Sequence, residues 1–222
     1  MLVRINAAPR MQIDGQLAAL AGERMMSCCE FRYRRGFEIF GEGEEPEYVY
    51  QIISGAVRTY KLLPDGRRQI NAFHLPGDMF GFENETIHRF TAEAIVETNV
   101  HLMRRSSILE AVRNGGAGTK DLIKFVTQNL QHAESHMLLL GRKTSLERVT
   151  AFLLEMDERL QHPDVMILPM NRRDIADYLG LTLETVSRAL SILRDEGLLR
   201  FDGNTQRRLE LVDRGALARI DA

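Results

Sequence analysis

Apolar and polar residues alternate along the first half of this chain, and the spacing turns helical in the second. Short runs rich in Val, Ile, Tyr and Phe fall at residues 48–53, 56–62, 69–73, 92–97 and 100–104. Turn residues separate them: Gly41-Glu42-Gly43, Ser54-Gly55, Pro64-Asp65-Gly66 and Pro76-Gly77-Asp78. Glycine admits a positive φ and proline pre-sets φ, so this punctuation predicts short antiparallel strands between about residues 30 and 105. Many short strands with Gly turns predict a small barrel or jelly roll, an architecture that often encloses a ligand.

After Gly115-Gly116-Ala117-Gly118, residues 119–140 run without Pro or Gly. Leu122, Val126, Asn129, Ala133, His136 and Leu140 recur there at alternating intervals of four and three, a heptad seam. These six are the expected dimer contacts. The polar members Asn129 and His136 reduce the apolar character of the seam but can fix register in a parallel pair. Phe125, Leu130 and Met137 flank the seam and are expected to pack on the roll. A single amphipathic helix packed within one subunit is the alternative.

Residues 171–194 read NRRDIADYLGLTLETVSRALSILR. Asn171 is a good N-cap with Asp174 three positions on, Ile175, Tyr178 and Leu179 follow at helical spacing, and Gly180 supplies a left-handed stop. Thr182 then caps a second helix whose buried stripe is Val186, Leu190 and Leu193. Leu183, Glu184, Ser187 and Arg188 fall on its other side, near its start. A helix pair joined by a Gly turn, with polar side chains early in its second helix, fits a DNA major groove. Arg donates to guanine O6 and N7, and Glu accepts from a cytosine amino group. As a lone pair, Glu184 and Arg188 at i, i+4 also read as a surface ion pair. Behind this unit, residues 198–212 form two strand-like runs around Asp202-Gly203-Asn204, a hairpin signal and a candidate wing. Arg172, Arg173 and Thr182 are the expected phosphate contacts. Arg207 and Arg208 read equally as phosphate contacts or as solvated edge-strand charges.

Composition adds bounds. The 222 residues suffice for two modest domains, and the formal net charge of −2 advertises no nucleic acid. Basic and acidic residues also nearly balance between 142 and 222, so DNA binding must rest on local placement of arginines. The two cysteines, Cys28 and Cys29, are adjacent and too few for a four-thiolate cluster; inert thiols are expected, with a redox role as the alternative. The first residues lack the apolar stretch of a secretory signal, and no apolar run is long enough to span a bilayer, so a cytoplasmic protein is expected. His132 and His136 share ligand spacing but lack the glutamate of a zinc-protease motif and an obvious third ligand, and no metal is expected. No G-x-S-x-G elbow or phosphate loop is present, and His74, His88 and His101 are too scattered for a metal-dependent barrel enzyme. No enzymatic activity and no cofactor are expected.

The segment GEGEEPEYVYQIISGAVRTYKLLPDGRRQINAFHLPGDMFG (residues 41–81) resembles the β-roll of the cyclic-AMP receptor protein and FNR (CRP/FNR) family of bacterial regulators. LTLETVSRAL (residues 181–190) resembles that family's reading helix, most of all its FNR and FixK branch, through Glu184, Ser187 and Arg188. The two segments occur in the family's order, and the likeness extends from about residue 30 to 212. It implies an α+β chain with a β-roll at 30–116, a dimerisation helix at 117–141 and a winged helix-turn-helix at 142–222, after an N-terminal segment 1–29. It also implies an activator that binds double-stranded DNA as a homodimer, touches RNA polymerase, and recognises an FNR-like box, TTGAT-N4-ATCAA. Genes for low-oxygen respiration or nitrogen metabolism are the implied targets. The family's cyclic-nucleotide pocket uses Gly-Glu and then an Arg followed by small residues. Here Gly81-Phe82-Glu83 keeps the first element loosely, while His88-Arg89-Phe90-Thr91 breaks the second, so no cyclic nucleotide is expected. A FixK-like regulator without either known sensor remains; a regulator gated by another small molecule in the roll is the alternative.

Overall fold

The computed structural model describes residues 3–6, 29–83, 86–113, 118–142, 144–203 and 206–221. Cys28 and Asn204, both singled out above, lie outside them. The chain divides into two units, residues 1–131 and 132–222.

The first unit is an antiparallel β-roll. One sheet orders its strands β1 (Val3–Asn6), β2 (Cys29–Tyr33), β9 (Thr98–Arg104), β4 (Tyr48–Ser54) and β7 (Met79–Phe80). The other orders β3 (Glu38–Phe40), β8 (Thr91–Ala94), β5 (Val57–Leu62) and β6 (Arg68–His74). Each of the five expected strand runs forms, although the run at 92–97 stops at Ala94. Inward-facing Tyr33, Phe40, Tyr50, Ile52, Val57, Phe80, Ala92, Ala94, Val100 and Leu102 form the core between the sheets. Burying such apolar side chains stabilises by roughly 1.5–3 kcal/mol each before the entropy cost of ordering them. Gly55 makes the β4–β5 turn at φ +93°, and a Cβ there would lie 2.4 Å from the Glu97 carbonyl oxygen. No other residue fits that position without backbone movement.

Helix α1 (Arg105–Arg113) follows β9 directly, and α2 (Gly118–Arg142) follows it. Buried Val49, Met79, Met103 and Ile108 form a second cluster, against which Phe82, Leu122 and Phe125 pack. Within the single chain, the residues of the expected seam differ in exposure. Leu122 faces its own roll, whereas Ile123, Val126 and Leu130 are 62, 51 and 57 % exposed. Phe125 packs as expected, and Leu130 does not. Asn129 is exposed and donates from Nδ2 to its own helix at the Phe125 carbonyl, 2.9 Å away.

The second unit takes up α2 from His132. Here Met137 and Leu138 are 64 and 62 % exposed and Ala133 is exposed, while Leu139 is buried. Then come α3 (Ser145–Arg159), α4 (Arg172–Leu179), α5 (Leu183–Asp195) and α6 (Arg214–Asp221). A three-stranded sheet completes it, ordered β10 (Met166–Ile167), β12 (Arg208–Leu211) and β11 (Leu199–Phe201). Helix α2 belongs by its first half to one unit and by its second half to the other. Among the described residues, no helix is long and apolar enough to cross a membrane.

Candidate nucleic-acid interface

The α4–α5 unit forms from local signals. Asn171 Oδ1 accepts from the Asp174 amide at 2.9 Å, and Asp174 Oδ2 accepts from the Asn171 amide at 3.2 Å, a reciprocal cap. Ile175, Tyr178 and Leu179 are buried, and Gly180 closes α4 in the left-handed conformation, φ 63° and ψ 36°. The Thr182 side chain accepts from the Thr185 amide at 3.2 Å and starts α5. Two further side chains satisfy the last carbonyls of α4: Arg148 Nη1 donates to Leu179 at 3.1 Å, and His136 Nε2 donates to Tyr178 at 3.1 Å. The His136 ring stacks on Tyr178 with centroids 4.1 Å apart, and burial pulls its pKa below the ordinary histidine value. His136 is thus occupied within its own chain, unlike the seam contact expected of it, and Leu140 is half-buried close to Gly180.

Helix α5 has two sides. Val186, Ala189, Leu190 and Leu193 are at most 3 % exposed and hold it to the unit. On the other side Glu184 and Arg188 are exposed, and Leu183 and Ser187 are half-buried. The Glu184 carboxylate sits at the helix start. Its own backbone amide and then the Thr182 hydroxyl hold its pKa below the usual glutamate value, with Arg173 and Arg188 assisting. A carboxylate kept ionised there is a hydrogen-bond acceptor, and the Arg188 fork beside it is a planar donor. Together they offer the acceptor and donor that base edges in a major groove require.

The flanking positions differ from one another. Arg173 is exposed in the first turn of α4, and Thr182 is exposed at the cap of α5. Arg172 is half-buried; its Nη1 donates to Ser187 Oγ at 3.3 Å, and its guanidinium lies 5.4 Å from the ring centre of Phe201. Arg207 is half-buried and lines, with Arg172, Gln206 and Leu190, a cleft of about 210 Å³. Arg208 pairs across the wing with Asp202 at 2.7 Å, a solvated edge pair rather than a free cation. The wing hairpin itself forms as expected, with Leu199, Arg200 and Phe201 opposite Leu211, Glu210 and Leu209. Phe201 was not singled out in the sequence; its place at a strand end beside Asp202-Gly203 was the available signal.

In the roll, Gly81 to Glu83 and His88 to Thr91 match the family's cyclic-phosphate pattern only loosely. An anion needs an open guanidinium and backbone donors. Arg89 instead gives Nε to Glu83 Oε2 at 3.0 Å, and the Glu83 side chain is largely buried. His88, 2 % exposed, stacks on Phe40 at 3.6 Å, and Phe40 and Phe80 flank Tyr50 at 5.5 and 5.0 Å. A Cβ on Gly81 would meet the Tyr50 ring at 2.8 Å. Glu83, His88 and Tyr50 are buried here, while the Arg89 side chain is 61 % exposed. Cys29 is half-buried on β2, opposite Leu102. Among the described residues, no three His, Cys, Asp or Glu side chains gather as a metal site.

Comparison with known proteins agrees with this geometry. Residues 147–220 match the Crp-like helix-turn-helix domain and residues 30–114 the cyclic nucleotide-binding domain. The chain is 42 % identical over 182 residues to the nitrogen fixation regulation protein FixK of Rhizobium meliloti, covering 82 % of this chain and 81 % of that one. It is 44 % identical over 195 residues to FixK of Azorhizobium caulinodans, covering 86 % and 78 %. The solved structure of FixK2 from Bradyrhizobium japonicum superposes with a TM-score of 0.85 at 56 % identity, covering 89 % of this chain and 98 % of that one. With a roll, a long helix and a winged helix-turn-helix in this order, and relatives this similar along most of its length, the chain belongs to the CRP/FNR family as a FixK-like, DNA-binding transcription regulator rather than an enzyme.

Proposed function

We propose that this regulator binds, as a homodimer and without a cyclic nucleotide, an FNR-like pseudo-palindrome, TTGAT-N4-ATCAA. Bound there, it activates transcription through contact with RNA polymerase, at genes of low-oxygen respiration or nitrogen metabolism. The observation that carries this reading is the side of α5 that presents Glu184, Ser187 and Arg188 while Val186, Leu190 and Leu193 are buried behind it. Arg188 reads a guanine edge and Glu184 the amino group of a neighbouring cytosine or adenine. Leu183, half-buried at the helix start, offers an apolar contact to a thymine methyl. Arg173, Thr182 and Arg207 supply phosphate contacts that set position without reading sequence. Two copies meet along α2. Exposed Val126 and Ala133 of the expected seam, together with Ile123, Leu130 and Met137, form the apolar contact. The pairing of Arg89 with Glu83 supports independence from cyclic nucleotides. The relatives named for nitrogen fixation regulation support the class of target genes.

Selection of bound DNA from a random pool, with purified protein and no added nucleotide, tests the proposal. An inverted repeat of TTGAT is the expected product. Enrichment that appears only when cyclic AMP is added, or a half-site unrelated to TTGAT, overturns it.

A further inference from the structure

Arg172 occupies an unfavourable place for a cation. It stands in the first turn of α4, where the helix dipole repels positive charge. Burial, and secondarily Arg194, also disfavours its charged form. Its Nε is buried and finds no hydrogen-bond partner among the described residues, which is costly for a charged group. An arginine whose task is to touch phosphate has no need of these costs, because phosphate contacts are made from the solvated rim. What Arg172 gains is position: Phe201 of the wing supports the guanidinium plane, and Nη1 reaches Ser187 Oγ at 3.3 Å.

That contact has a chemical consequence. A serine hydroxyl carries one hydrogen and two lone pairs, whereas a guanidinium only donates. Arg172 therefore occupies one of the two lone pairs of Ser187 Oγ and restrains the rotation of the hydroxyl, which favours donation of its hydrogen to another partner. Without Arg172 the hydroxyl rotates freely between donating and accepting, and it tells base edges apart poorly. We propose that Arg172 is a positioning residue that fixes Ser187 as a hydrogen-bond donor toward DNA, so that Ser187 reads an acceptor atom on a base edge. Purine N7, guanine O6 and thymine O4 are such atoms in the major groove, and the amino groups of cytosine and adenine are not. The inference rests on the assignment of α5 as the reading helix.

The test is a double-mutant cycle in the full-length protein, using Arg172→Ala, Ser187→Ala and the pair. Affinity is measured for the selected site and each of its single base-pair variants, at several salt concentrations. The wild type should discriminate about tenfold at the base pair that Ser187 reads. Each single variant should lose that discrimination, and the pair should be no worse than Ser187→Ala alone. The slope of affinity against salt should not change. Replacing a purine at that position by its 7-deaza form, or a thymine by an analogue lacking O4, should cost the wild type about the same factor and the variants nothing. Arg172→Met keeps an apolar stem over Phe201 and serves if Arg172→Ala does not fold. The proposal is overturned if losing Arg172 weakens all sequences equally, lowers the salt slope by about one unit and adds to the Ser187 effect, because Arg172 is then a phosphate contact. A wild-type protein without sequence preference would instead remove the reading-helix assignment itself, a result distinct from either.

Discussion

The roll and the helix-turn-helix each place an arginine near a glutamate, Arg89 near Glu83 and Arg188 near Glu184, and they use the two charges in opposite ways. In the roll the acid is largely buried and accepts from Nε of Arg89 at 3.0 Å, so the acid is paired while the arginine side chain stays 61 % exposed. On α5 both residues are exposed, and the acid is held ionised chiefly by its own helix start rather than by the arginine. An anion-binding site needs charge that is fixed in place but not neutralised. In the roll the acid is buried against its arginine; on α5 both charged side chains stand exposed. Residue types matching a family pattern therefore show too little by themselves. What decides is whether burial and partners leave the charge able to act on something outside the chain.

The largest expected effect concerns whether two reading helices act together. Val126 is half exposed in the single chain, so Val126→Asp should leave the subunit folded while placing a charge in the helix–helix contact, where it would be buried without a partner. Sedimentation should show monomers, and specific DNA binding should be lost with the dimer. A mutant that stays fully dimeric would move the interface elsewhere.

A smaller effect separates the two arginines directly. Arg89→Ala should lower the stability of the roll by about 1–2 kcal/mol, because it leaves the Glu83 carboxylate short of a charged donor while the arginine end was already solvated. Ligand-free DNA affinity should be unchanged below the melting temperature. Loss of DNA binding in a folded Arg89→Ala protein would mean that the cradle controls the reading helix, and the contrast drawn here would fail.

The smallest effect is a flat pH profile. The pKa of Glu184 lies below the ordinary value, so its acceptor is present above that pKa and is lost only as pH falls through it. Discrimination at the base pair read by Glu184 should stay constant from about pH 5.5 to 8, with Glu184→Gln as the reference. A loss of that discrimination in the middle of this range would place the carboxylate in a different environment.

Much of the second unit was legible in the sequence because its signals are local. Asn171 with Asp174, Gly180 and Thr182 each act within a turn of the chain, and the buried stripe of α5 follows from helical period alone. The strand runs of the roll were legible for the same reason, since turn chemistry marks their ends. The phase of the α2 seam was not. Leu122, Ile123, Phe125 and Val126 spread apolar groups over an arc of about 160° of the helix, wider than one packing stripe, so spacing cannot say which edge of it faces the core. That choice is made by Val49, Met103 and Ile108, which lie on other elements, β4, β9 and α1. His136 was lost from the seam similarly, to a carbonyl 42 residues away. The turn of Arg172 onto Ser187 and Phe201 depends on side-chain direction, which no residue spacing encodes. Helices α1, α3 and α6 also went unmarked beside the stronger motifs around them.

The most direct test of the central claim, that α5 reads bases through its exposed charges, is a base-by-base affinity profile of Arg188→Ala against the wild type. Specific affinity should fall by about 1–3 kcal/mol per half-site, and selectivity should relax at one base pair. Non-specific binding and thermal stability should hardly change, as expected for an exposed side chain. Uniform weakening on every sequence, with the site preference intact, would reduce Arg188 to a phosphate contact and contradict the account.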